Sequence, residues 1–162
     1  MTARWRAERR AWSTGHSYVA AQMLLIAGIV LAPPVGHVTF PGGVILGTVL
    51  VAAGLAIVAA TAVRLGRALT ALPDPKVNAN LDTRGPYRYV RHPIYTGVLA
   101  CAFGVALRNT SILAFALAVL LTMILTAKAR FEERLLTRRF ADYQEYAART
   151  PRFLPRVNGR RR

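Results

Sequence analysis

The chain has a single cysteine, Cys101, and only seven acidic residues among 162. One cysteine closes no intramolecular disulfide and offers no partner for a thiolate metal site, so disulfide frameworks and cysteine-based metal centres are excluded. Cys101 reads as a small apolar packing residue. Charge of either sign is missing from a long stretch. Between Arg10 and Arg64 no formally charged residue occurs, only His16 and His37. A run of that length is too long for one buried helix and suits two membrane spans of ~20 residues each. No internal repeat and no strand-like alternation is present. With 54 % hydrophobic residues, what remains is an all-α integral membrane protein, with 1–162 as a single membrane domain.

What is plentiful is positive charge. The formal charge is +15, from 22 Lys and Arg. In a soluble protein that excess would suggest nucleic acid, but here the basic residues sort by loop. Four precede the first apolar run, six lie from Arg64 to Arg91, eleven lie from Lys128 onward, and only Arg108 falls elsewhere. Four spans put these three groups on one side, and the positive-inside rule makes that side the cytoplasm. The expected location is the cell membrane with both termini cytoplasmic. Membrane lipids are the expected macroscopic partner, since basic residues near the surface attract anionic headgroups; no nucleic acid and no metal is expected. The opening Arg4, Arg6, Arg9 and Arg10 resemble the start of a signal peptide. Yet the following run leads to Pro33-Pro34 without a small-x-small cleavage site, so it reads as a retained anchor.

The expected spans are about 17–32, 44–63, 93–107 and 110–127. Pro33-Pro34 ends the first. Gly47 and Gly54 in the second would let a neighbouring helix approach closely. A short helical continuation to about Leu69 leads into an irregular cytoplasmic loop, 64–92, punctuated by Leu72-Pro73-Asp74-Pro75, Asn78-Ala79-Asn80 and Gly85-Pro86. Arg108-Asn109 makes a tight turn between the third and fourth spans. Beyond them, Phe131, Leu135, Leu136, Phe140, Tyr143 and Tyr146 recur at helical spacing. They predict a cytoplasmic amphipathic helix over about 128–149, ending before Pro151. From Arg152 on, a frayed basic tail is expected.

Two clusters carry chemistry. The first is Gly85-Pro86-Tyr87-Arg88-Tyr89-Val90-Arg91-His92-Pro93-Ile94-Tyr95-Thr96-Gly97. Pro93 suits the first turn of a helix, where its missing N–H is no loss. His92 then falls at the N-cap, and the backbone N–H groups around Ile94–Thr96 form a helix start that favours an anion. Arg91 or Arg88 would assist, and the tyrosines offer faces for a heterocycle or cation. A plain junction between loop and span needs only one or two such anchors. The second cluster is Lys128-Ala129-Arg130-Phe131-Glu132-Glu133-Arg134. Lys128 and Glu132 stand one turn apart and make an ordinary ion pair on the bland reading. Two adjacent carboxylates in a very basic chain point further. Neighbours on a helix face different ways, so one of them is expected to turn inward and accept ligand hydroxyl or amino donors.

Together the clusters resemble the isoprenylcysteine carboxyl methyltransferase family, whose broader relatives include phospholipid and methanethiol methyltransferases. The first carries the Arg-His-Pro-x-Tyr signature. Glu132-Glu133, Phe140-Ala141-Asp142-Tyr143-Gln144-Glu145-Tyr146 and Thr150-Pro151 match the second signature, and the resemblance covers roughly Leu81 to Pro155. It implies S-adenosylmethionine bound on the cytoplasmic side by Leu81, Tyr87, His92, Pro93, Ile94, Tyr95 and Glu132. The family's substrate-orienting arginine falls on Lys128, which lacks the two-point grip of a guanidinium. Arg130, on a different face, and Arg91 are the other candidates for the reacting end. The acceptor implied is a lipophilic small molecule or lipid-modified group bearing a carboxylate, thiol or amine. The alternative is a small four-span protein without enzymatic activity, such as a transporter. Proton-coupled transport needs an ionisable residue inside the membrane, and the expected span interiors hold no Asp, Glu, Lys or Arg apart from the loop residue Arg108.

Overall fold

In the computed structural model, residues 3–33, 41–66 and 81–156 are described, and their regular elements are helices. Helix α1 runs Ala3–Leu31, α2 Gly43–Leu65, α3 Pro93–Asn109, α4 Ile112–Arg139 and α5 Tyr143–Arg149, with a 3₁₀ turn at Gly85–Arg88 before α3. In space α2 packs on α3, α3 on α4 and α4 on α1. Two helices, α2 and α4, are long and apolar enough to cross a membrane, and Gly15–Leu31 within α1 is a shorter apolar stretch. Outward-facing Leu24, Leu31, Ile45 and Val63 are all more than 70 % exposed, a surface that suits acyl chains and not water.

Because hydrocarbon solvates apolar side chains as well as protein does, helices in a membrane associate through close backbone packing. The α2–α3 contact is built that way. Gly47 meets Gly104 and Gly54 meets Gly97, each pair two turns from the other. A Cβ at Gly54 would lie 2.5 Å from the Gly97 carbonyl oxygen, and one at Gly97 would lie 2.6 Å from that of Gly54. At Gly47 and Gly104 the corresponding distances are 2.5 and 2.7 Å. The expectation for Gly47 and Gly54 holds, and its partners are glycines too. On the other side of α3, Ile29, Ala106, Ala114, Ala118, Leu121 and Leu125 form the buried core with α1 and α4. Ser111 closes that end. Its Oγ accepts from the Ala114 N–H at 3.3 Å, capping α4, and donates to the Pro33 carbonyl at 2.8 Å.

Several boundaries differ from expectation. α2 stops at Leu65 because Gly66 takes φ +48°, which ends the hydrogen-bond ladder; a continuation to Leu69 would pass through residues outside the described ones. The Leu72–Asn80 punctuation also lies outside them. α3 extends through Asn109, and the tight turn falls on Thr110 and Ser111, with Thr110 at φ +47°. The expected 128–149 helix is two pieces. α4 continues without interruption from the apolar stretch to Arg139, Phe140 is extended, and α5 is a separate helix. The break has a packing cause: Tyr143 and Tyr146 are 2 % and 7 % exposed, and a straight helix would carry them away from the surface that buries them.

The glycine contact yields a test. Gly54→Val should lower the thermal midpoint in detergent, with a destabilisation on the order of 1–3 kcal/mol or more from overpacking. Gly28→Ala should be milder, since its added carbon meets only the Leu117 side chain at 3.2 Å. An unchanged midpoint for Gly54→Val would refute the close contact.

Candidate functional site

Pro93 occupies the first turn of α3, and His92 stands at its N-cap position. The His92 carbonyl accepts from the Thr96 N–H at 3.0 Å, and the Thr96 hydroxyl oxygen lies 3.2 Å from it. The helix start is therefore partly satisfied from within, and the Thr96 N–H is not free for an anion. His92 presents its side chain to the bundle instead. Its ring is 8 % exposed and stacks on Tyr95, three residues on, at 5.2 Å between centroids and 3° between planes.

Both carboxylates of the second cluster turn to this ring. Glu132 Oε2 lies 3.5 Å from Nδ1, and Glu133 Oε1 lies 3.2 Å from Nε2. Their side chains are 14 % and 13 % exposed. This corrects the expectation that only one would face inward. A step of ~100° between neighbours separates them on the helix, but an imidazole has nitrogens on opposite edges and fits between. Glu132 also accepts the Tyr95 hydroxyl at 2.5 Å. Burial pushes the Glu132 carboxyl above its usual range; the Tyr95 bond and the charges of His92 and Lys128 oppose that without cancelling it. For Glu133 the balance reverses. Burial would raise it, but hydrogen bonds from Arg152 and His92 and the charge of Arg91 bring it down to about 2.

Arg152 grips Glu133 with two bonds, Nε to Oε1 at 2.9 Å and Nη2 to Oε2 at 2.6 Å. Arg91 Nη2 stands 3.5 Å from the same Oε1. The residues after α5 are thus not a frayed tail over their described part. The Arg91 N–H donates to the Pro151 carbonyl at 2.8 Å and the His92 N–H to the Arg152 carbonyl at 3.1 Å. The Thr96 hydroxyl reaches the Phe153 carbonyl at 2.7 Å, and the Phe153 ring lies edge-on to His92 at 6.1 Å. Upstream, the Tyr146 hydroxyl donates to the Tyr87 carbonyl at 2.7 Å, fastening α5 to the 3₁₀ turn. That turn is tied to α2 by a two-point pair of Arg64 with Asp82, at 2.7 and 3.0 Å. Gly85, at φ +59°, passes so close to Arg64 that a Cβ would lie 2.8 Å from its Cδ.

Lys128 is almost wholly buried one turn before Glu132. Its Nζ donates to Gln22 Oε1 of α1 at 3.4 Å and lies 5.1 Å from the centre of the Tyr95 ring. The predicted residues therefore fall into groups. His92, Tyr95, Glu132 and Lys128 come together, and Arg91 joins through Glu133. Tyr87 is close enough for the charges of Asp82 and Glu132 to add to burial in raising its phenol to about 12. Pro93 is buried, Ile94 packs against the apolar core, and Leu81 is half-buried on the segment leading to the turn. Arg130 is not brought in. It is exposed on another face, beside an open groove of about 460 Å³ lined also by Glu133, Arg134, Thr137 and Arg138. Sequence reasoning missed Arg152, Phe153, Tyr146 and Gln22 as parts of the site. Arg152 was hidden among many basic residues; Thr150-Pro151, which turns the chain after α5, was the available signal.

The family model for phospholipid methyltransferases matches residues 43–143, which include His92, Tyr95, Lys128, Glu132 and Glu133. The nickel-cobalt-cadmium resistance protein NccN of Alcaligenes xylosoxydans xylosoxydans is 32 % identical over 136 residues, covering 83 % of this chain and 63 % of that protein. The cobalt-zinc-cadmium resistance protein CzcN of Cupriavidus metallidurans is 38 % identical over 82 residues, 50 % of this chain and 38 % of its own length. Methanethiol S-methyltransferase 2 of Bradyrhizobium diazoefficiens is 39 % identical over 77 residues, 47 % of this chain and 29 % of that one. The chain thus spans less than two thirds of the length of each of these relatives. Among the described residues, no group of three or more His, Cys, Asp or Glu side chains is placed to hold a metal ion.

The Glu133 clamp makes stability depend on acid in a defined direction. Its carboxyl falls from an ordinary 4.5 to about 2 on folding, so its contribution is full above pH ~4.5 and is lost as pH falls toward ~2. Glu133→Gln should lower the thermal midpoint at neutral pH and flatten its decline between those limits, as read from melting in detergent across pH. A variant with wild-type midpoint and wild-type acid slope would show that the clamp contributes nothing.

Proposed function

The chain belongs to the phospholipid methyltransferase family, and on that premise we propose that it is a membrane methyltransferase using S-adenosylmethionine. The cell membrane holds it by four spans, formed by the apolar part of α1, α2, α3 and the apolar part of α4, with the site on the cytoplasmic face. Charge sorting supports this orientation, since the loop before α3 and everything from Lys128 onward carry most of the basic residues. The methyl acceptor is a lipophilic small molecule or a lipid-modified group. A relative named for S-methylation of methanethiol supports methyl transfer.

One observation carries the reading: His92 and Tyr95 from the start of α3 and Glu132 from late in α4, all within the matched region, meet in a single half-buried polar cluster at the cytoplasmic end of the bundle. The residues present fit the cofactor. Glu132 offers carboxylate oxygens to hydroxyl or amino donors, Tyr87 offers a ring face to a heterocycle or a cation, and Tyr95, its own ring covered by His92 and Lys128, holds Glu132 in place. Among the described residues, Arg91 Nε and the Tyr143 hydroxyl are buried without a hydrogen-bond partner. Buried polar atoms left unpaired are costly, and these two are suited to an anionic ligand group. Pro93 and Ile94 contribute the rigid helix start, and Leu81 the edge toward the loop.

When bound, the cofactor supplies a methyl group on a positively charged sulfur, already activated for in-line displacement. The protein's part is alignment and exclusion of water. Lys128, held by Gln22 and the Tyr95 face, directs a buried positive charge at an acceptor that arrives ionised from the bilayer side. Glu132 is engaged by Tyr95 and His92, so it is placed to bind and orient, not to collect an acceptor proton.

Calorimetric titration of the purified chain with S-adenosylhomocysteine should show binding. His92→Ala and Glu132→Ala should each weaken it by roughly tenfold or more, the effect of losing hydrogen bonds to a charged group, while the thermal midpoint shows the variants folded. Wild-type affinity in both would remove the site assignment, and no binding by the wild-type chain would remove the function.

A further inference from the structure

α4 does not end where its apolar stretch ends. Past Ala127 it carries Arg130, Arg134 and Arg138 at steps of four residues, which set them on one face about 6 Å apart along the axis. All three are exposed, and with Glu133 and Thr137 they line the open groove of about 460 Å³. Among the described residues none of the three makes an ion pair, and Arg134 only covers the Phe131 ring, at 5.7 Å. Glu133, the acid in the groove, is already engaged by Arg152 at 2.6 Å and His92 at 3.2 Å. The Thr137 hydroxyl donates to the Glu133 backbone carbonyl at 2.8 Å, leaving its oxygen lone pairs rather than its proton toward the groove. Like charges one turn apart weaken a helix, so three in a row are a liability that an anion seated between them removes.

We propose that this groove binds the phosphate of an anionic membrane lipid. The inference rests on the membrane placement proposed above and concerns the face of α4 that carries Arg130, Arg134 and Arg138, which adjoins the His92 cluster at Glu133. Depth argues for a lipid. Arg130 lies ~4.5 Å and Arg134 ~10 Å of helix beyond Ala127, which brackets the headgroup layer of roughly 5–8 Å outside the hydrocarbon. Long arginine stems reach back toward that layer, and Arg138 closes the groove from the water side. Guanidinium forks match phosphate oxygens two at a time, and the diester of phosphatidylglycerol supplies such oxygens at this depth with a net negative charge.

The full chain in nanodiscs of phosphatidylcholine with a minor share of phosphatidylglycerol, released into a native mass spectrometer, tests the site. The wild-type chain should keep phosphatidylglycerol in preference to phosphatidylcholine. The triple variant R130Q/R134Q/R138Q should lose that preference, by roughly fivefold for each arginine; R130Q and R138Q alone provide the reading where the triple does not fold. A charge-matched control, R84Q/R149Q/R156Q, should keep it. An undiminished preference in the groove variants, or an equal loss in the control, overturns the site in favour of diffuse attraction. Displacement of the lipid by inorganic phosphate would make it a site for soluble anions and overturn the lipid assignment. Titration of the same samples with S-adenosylhomocysteine separates the two readings, because lipid preference without cofactor binding removes the methyltransferase and leaves this site. A chain that does not enter the nanodisc removes both.

Discussion

A carboxylate that is mostly out of water must be paired, because an isolated buried charge costs several kcal/mol. Glu133 on α4 is such a group, and much of this end of the bundle follows from satisfying it. Arg152 supplies two bonds, His92 one contact and Arg91 another. These partners come from the chain before α3 and the chain after α5, so both segments must converge on one turn of α4. Once Arg152 is held there, Pro151, Arg152 and Phe153 lie along Arg91, His92 and Thr96, and their backbone groups pair. The break at Phe140 belongs to the same constraint. An unbroken helix would project residues 143–152 away from α3, whereas an extended Phe140 lets α5 return and bury Tyr143 and Tyr146 against Arg91 and Tyr87.

The other end of the logic is rigid positioning. α3 brings His92 and Tyr95 to Glu132 only if α3 itself is fixed, and two pairs of facing glycines lock it against α2. The Arg64–Asp82 pair extends that lock to the loop, joining the last turn of α2 to the segment just before the 3₁₀ turn. A polar cluster at the mouth of an apolar bundle therefore has backbone contacts on one side and a charge clamp on the other.

What was legible in the sequence was what depends on local chemistry. Pro93 marked a helix start, the glycines of α2 marked a close approach, Pro151 marked the end of α5, and the absence of charge marked the apolar stretches. What was not legible depended on contacts between distant segments. Arg152 looks like any other arginine in a basic tail until Glu133 is seen beside it. The pair Glu132-Glu133 illustrates the same limit. Helical geometry alone says that neighbours diverge, and only the imidazole between them, forty residues away in the chain, explains why both point inward. Phe140 fitted the apolar spacing of a continuous helix, and the demand that broke it, burial of Tyr143 and Tyr146, comes from tertiary packing.

Lys128 stands where the resemblance implies an arginine, and it acts through its neighbours. A guanidinium at this position would bring a planar fork and satisfy two acceptors from one side. The ammonium is a compact charge on a flexible stem, and in this chain its neighbours fix its direction. Gln22, an amide in the otherwise apolar stretch of α1, accepts its hydrogen at 3.4 Å, and the Tyr95 ring lies 5.1 Å away. Tyr95 in turn is held by Glu132, and Glu132 lies beside His92. The charge is thus placed by a line of contacts running from α1 through α4 to α3, where a fork would be placed by its own geometry. In the methyltransferase we propose, the orientation of the acceptor then depends on α1 as well as on the two signature segments, so the first helix is part of the site and not merely an anchor.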